Sequence, residues 1–105
     1  MQRCSLSLMK HFVLIYDFAA DYVSRRGPFR AEHLALARAS AERDALQLAG
    51  ALAEEPLGLL LFKAESAGVA EQFAQEDPYV RHGLVTAYRV REWVTVVGRD
   101  ALTAL

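Results

Sequence analysis

Cysteine is almost missing from this chain: Cys4 stands alone among 105 residues, so no internal disulfide can form, and a reducing, cytoplasmic setting is expected. An excess of charge of either sign is missing as well. Twelve Lys and Arg against 13 Asp and Glu leave a formal net charge of -1, and the two signs are mixed along the chain rather than gathered in blocks. That pattern offers no counterion-release footprint for nucleic acid. No uninterrupted apolar run reaches the roughly 18 residues that a membrane-spanning helix needs. There is no Gly-rich phosphate loop and no G-x-S-x-G elbow. The three histidines, His11, His33 and His82, form no i, i+4 pair beside an acidic cluster, so no metal and no cofactor are expected.

What is present is apolar side chain in quantity. Hydrophobic residues make up 53% of the sequence and charged residues 24%, enough for one globular core and, at this length, for only one. Residues 1–8 have no signal-like apolar stretch and read as a disordered lead-in, 9–98 as the domain and 99–105 as a tail, loosely attached from Gly98 onward.

Met9 to Phe18 (MKHFVLIYDF) is β-branched and aromatic and reads as a first strand. Phe12, Leu14, Tyr16 and Phe18 fall on one side of it, and His11, Val13, Ile15 and Asp17 on the other. The polar stretch Asp21 to Gly27 leads to Pro28, which fits the first turn of a helix. Phe29, His33, Leu36, Ala37 and Ser40 then recur at helical spacing, predicting a helix to about Arg43 with Asp44 in the left-handed terminating position. Ala45 to Leu52 and Leu57 to Ala64 read as a hairpin of strands around Ala53-Glu54-Glu55-Pro56. Ser66 is the expected cap of a second helix that buries Val69 and Phe73, with Ala70 and Ala74, and stops by Glu76. Asp77-Pro78-Tyr79 breaks the helical pattern, and Leu84 to Val97 alternates as a long fourth strand.

The order β, α, β, β, α, β predicts an α+β, ferredoxin-like fold: a four-stranded antiparallel sheet with two helices on one face. Two helices cover one face only, yet the first and third strands are apolar on both. A second copy of the chain is the economical cover for the other, so a homodimer through the open sheet face is expected.

Among residues able to carry chemistry, His33 lies one turn into the first long helix with Arg30 one turn before it. A half-buried helix histidine beside a salt bridge is the plain alternative, just as Asp77 alone can be a turn initiator held by Pro78. His82 reads as a solvent-exposed turn residue, and His11 as structural or at the dimer face. Cys4 precedes the domain without a neighbouring base and makes a poor nucleophile.

R-x-x-H-L at Arg30 to Leu34, the Ala49-Gly50 pair on the second strand, and D-P-Y followed by Gly83, taken in order, resemble the YciI-like (YCII-related) family from about Lys10 to Gly98. Asp44 and His82 depart from that pattern, standing where a glycine and a small residue are common. The resemblance implies a dimeric α+β barrel with His33 and Asp77 as a catalytic His-Asp pair. Arg30, Tyr79 and Tyr16 are then the expected substrate contacts for cofactor-free, lyase- or isomerase-like proton transfer on a small polar or hydroxylated aromatic compound. The alternative is a non-catalytic dimeric ligand-binding or accessory module, in which the same residues form a bracing polar network. Hydrogen-bond contact between His33 and Asp77 at the wall of an open pocket favours the enzyme; a sealed pair favours the module.

Overall fold

The computed structural model describes residues 8–103; the expected lead-in, apart from Leu8, and Cys4 lie outside the described residues. The elements are β1 (Lys10–Phe18), α1 (Tyr22–Arg25), α2 (Gly27–Glu42), β2 (Leu46–Ala51), β3 (Leu57–Ala64), α3 (Gly68–Glu76), α4 (Pro78–Arg81) and β4 (Val85–Trp93). The strands form one antiparallel sheet in the order β2-β3-β1-β4. This is the α+β, ferredoxin-like arrangement that the element order predicts. The apolar strands β1 and β3 take the two central places, paired from Lys10↔Ala64 to Asp17↔Leu57.

Register decides which side chains reach the helices. Phe12, Leu14 and Tyr16 of β1 sit beside Leu60 and Phe62 of β3 on the helix-covered face, where Leu46, Ala70, Phe73 and Ala74 close the core. Val13 and Ile15 of β1 and Leu59 and Leu61 of β3 point the other way. No helix among the described residues covers them, and Leu59 remains 38% exposed.

Five local readings are corrected by the structure, the first being that α3 buries Val69, which is 40% exposed. Asp21 to Gly27 is not plain loop: Tyr22–Arg25 make one helical turn, tied by Ser24 Oγ donating to the Asp21 carbonyl (2.9 Å) and by an exposed Arg25–Asp21 ion pair (3.4 Å). Such a turn rests on local polar bonds and leaves no apolar periodicity to find. Ser66 is one residue early as a cap; Ala67 holds that position, and Ser66 Oγ merely accepts the Gly68 N–H at 3.4 Å. β4 ends at Trp93 rather than Val97, because Trp93 already pairs with His11 near the start of β1 and later residues have no strand to pair with. The chain then turns back instead of hanging loose. Thr95 Oγ1 bonds His11 Nδ1 (2.7 Å) and accepts the Leu102 N–H (3.0 Å), while the Thr103 N–H donates to the Thr95 carbonyl (2.9 Å). His11 is thereby buried and structural, and its burial lowers its pKa.

Asp44 does adopt the left-handed conformation, with φ of 65°. Its side chain compensates for the Cβ that glycine lacks: Oδ2 accepts Lys63 Nζ at 2.6 Å and Oδ1 accepts Gln47 Nε2 at 3.2 Å. The Lys63 bond holds this exposed carboxyl below the ordinary aspartate range.

Candidate active site

The site lies where α2, the α3–α4 junction and β1 converge. Pro78 at the first position of α4 drives Asp77 into extended geometry (φ -74°, ψ 123°), ending α3 and starting α4 in one step. Asp77 then caps α4, its Oδ1 accepting the Tyr79 N–H at 3.0 Å. The carboxylate is fully buried and needs further donors. Tyr16, reaching across from β1, donates its hydroxyl to Oδ2 at 2.7 Å. His33, from α2, places Nδ1 2.9 Å from Oδ1 and 3.0 Å from Oδ2.

These contacts fix which ring nitrogen faces Asp77. A carboxylate only accepts, so the hydrogen of the neutral imidazole resides on Nδ1, and Nε2 carries the free lone pair. Burial above all, and then the Asp77 charge and hydrogen bond, push the Tyr16 phenol far above its ordinary pKa. Tyr16 is therefore a permanent donor. The His33 ring also lies flat on Tyr79, with centroids 3.9 Å apart and planes 6° from parallel, so its orientation is held from the side as well as from the end. With Nδ1 turned to a fully buried partner, the 16% of the His33 side chain still exposed lies away from Asp77.

His33 lines a cavity of about 290 Å³, near the lower size limit of small-molecule pockets. The cavity exists because small residues face one another. Ala37 of α2 lines it together with Ala49 and Ala51 of β2, which share the helix-covered face with Leu60, and these short side chains leave the space between helix and sheet unfilled. Two roomier grooves of about 680 and 710 Å³ flank α3, but His33, Tyr16 and Tyr79 line neither.

Of the residues singled out from sequence, His33, Asp77, Tyr16 and Tyr79 form one connected cluster, and Arg30 lines the same cavity without an ion-pair partner among the described residues. Tyr16 spends its hydroxyl on Asp77, so only its ring is left to line the cavity. His82 is exposed and stacks on Phe29 (4.3 Å) away from the cavity wall. Three wall residues escaped the sequence reading: Phe18, Tyr22 and Arg26. Phe18 and Tyr22 stack at 3.9 Å, and the Arg26 guanidinium lies 5.6 Å from the centre of the Tyr22 ring. The four-residue step from Arg26 to Arg30 was the available signal, hidden by starting the helix at Pro28.

Among the described residues, no three or more His, Cys, Asp or Glu side chains are placed to hold a metal ion, and no helix is long and apolar enough to cross a membrane. No curated protein matches the chain in sequence. Among solved structures, it is similar to 5-chloro-2-hydroxyhydroquinone dehydrochlorinase from Burkholderia phenoliruptrix, in complex with 2,5-dihydroxybenzoquinone. That match has 21% identity and a TM-score of 0.69, over 87% of this chain and 98% of that one. A NIPSNAP family protein from Agrobacterium tumefaciens matches at 12% identity and a TM-score of 0.55, over 89% of this chain and 96% of that one. At these identities the likeness speaks for the fold. The family model for the YCII-related domain matches residues 9–94, nearly the whole described domain, and the chain therefore belongs to the YCII-related family.

Proposed function

We propose that this chain is a cofactor-free enzyme that moves a proton on a small hydroxylated aromatic or otherwise enolisable compound, with His33 as general acid and base. One observation carries the reading: His33 Nδ1 is held by both oxygens of buried Asp77, while the same side chain, 16% exposed, lines a cavity. A sealed pair would speak for a bracing network; this pair is open on one side.

Nε2 of neutral His33 takes a proton from the substrate, and the resulting imidazolium is stabilised by the Asp77 carboxylate on Nδ1. The C–H or O–H electron pair passes into the conjugated skeleton as an enolate or phenolate, whose charge Arg30 faces. His33 then returns the proton to a different atom, as in an isomerase, or the electron pair expels a leaving group, as in a lyase. Asp77 acts as a positioning residue and Tyr16 keeps it in place. The dehydrochlorinase likeness fits this class, since its named substrate is a hydroxylated, chlorinated ring.

A homodimer belongs to this reading. Val13, Ile15, Leu59 and Leu61 form an apolar strip on a face that no helix among the described residues covers, the returning chain at Thr95 reaching only its His11 end, and a second sheet laid against it removes the strip from water. A cytoplasmic setting goes with it, as the lone Cys4 asks for no oxidising compartment.

The test uses 5-chloro-2-hydroxyhydroquinone and its unchlorinated ring, following quinone absorbance and the exchange of ring hydrogen for deuterium by NMR. His33→Ala is expected to slow turnover by about 10²- to 10⁴-fold while leaving the assembly intact. Equal rates in both proteins would eliminate His33 as the base. Light scattering at micromolar concentration should give twice the chain mass, and a stable monomer would overturn the sheet-to-sheet pairing.

A further inference from the structure

The cavity holds more positive charge than the proposed reaction uses. Arg26 and Arg30 both line it, and neither has a carboxylate partner among the described residues. Arg26 has helical dihedrals (φ -73°, ψ -19°), so the step of four residues places both arginines on one helix face. Asp77 does not balance them, because its carboxylate is fully buried behind the wall and committed to His33, Tyr16 and the Tyr79 N–H. The proposed proton transfer develops one negative charge, which Arg30 faces, while the imidazolium is matched by Asp77. Arg26 is left over.

Its surroundings specify its use. Arg26 is half-buried, and its guanidinium lies over the Tyr22 ring, which in turn stacks on Phe18. The aromatic contact restrains the guanidinium without neutralising it, and its hydrogen-bond donors have no acceptor among the described residues, which suits them to a planar one. Around the rest of the cavity the rings of Tyr16, Tyr79 and His33 give flat walls.

Resting on the proposed function, we infer that the substrate carries a permanent carboxylate on its planar ring, and that Arg26 is the residue that selects it. One end of the ligand meets Arg26 through the carboxylate; the ionisable hydroxyl or enolisable carbon lies toward His33 and Arg30. A guanidinium–carboxylate pair in a partly enclosed site is charge-assisted and geometrically specific, which an uncharged ring cannot reproduce.

Titration calorimetry with 4-hydroxybenzoate and its uncharged isostere 4-hydroxybenzamide tests this on the intact protein. The carboxylate is expected to bind about 10-fold or more tighter than the amide, within the range of charge-assisted pairs. Arg26→Gln should bring the two affinities together by weakening only the carboxylate, and Arg26→Lys should restore part of the preference. Melting temperatures of the variants report whether the fold is kept. Equal affinities in the wild-type protein, no detectable carboxylate binding, or an equal loss of both ligands in a folded Arg26→Gln protein would each overturn the assignment. His33→Ala should retain the carboxylate preference. Full turnover in that variant would therefore remove the base while leaving the selecting role of Arg26 standing.

Discussion

The two long helices cover the same sheet, but they do different things with it. α3 buries Ala70, Phe73 and Ala74 almost completely against β1 and β3, whereas α2, nearly twice as long, fully buries only Ser40. The first half of the layer is filled and the second is left open. α3 sets Phe73 edge-to-face on Phe62 at 5.4 Å, while α2 brings Ala37 to a cavity shared with Ala49 and Ala51 and leaves it open. A packed half and a hollow half thus share one helical layer, the dense half supporting the His33–Asp77 geometry beside the hollow one.

Substitutions that reverse the roles sharpen this contrast. The largest effect is expected from Phe73→Ala, which empties the filled half and should cost about 3–5 kcal/mol in urea unfolding. Ala74→Leu adds bulk where there is no room and should cost about 1–3 kcal/mol. The same change at Ala37 has space to enter. Ala37→Leu should stay within about 1 kcal/mol of the parent while abolishing ligand binding, read by calorimetry with 4-hydroxybenzoate. Equal destabilisation by Ala37→Leu and Ala74→Leu would erase the distinction between the halves.

Much of this was legible in the sequence, for reasons that differ by element. β3 has the bounds read for it, Leu57 to Ala64, because a leucine-rich apolar run between a turn and a polar break leaves little choice. α2 begins and ends one residue from expectation, and Asp44 terminates it in the expected conformation. His33 and Asp77 are 44 residues apart in the chain, so their contact was reachable only through family resemblance. Spacing carries no information about which side chains meet across a sheet. The commitment of the Tyr16 hydroxyl to Asp77 was out of reach for the same reason. β4 was read too long because alternation continues past the point at which its partner strand ends; pairing, not propensity, sets a strand's limit.

Asp77 joins three segments that are distant in sequence: β1 through Tyr16, α2 through His33 and the start of α4 through its own cap. A displacement of any one of them is transmitted to the imidazole through a single pair of oxygens. Integrity of the fold and orientation of the imidazole are consequently one mechanical property, so a loosened domain should lose the His33–Asp77 contact before it unfolds.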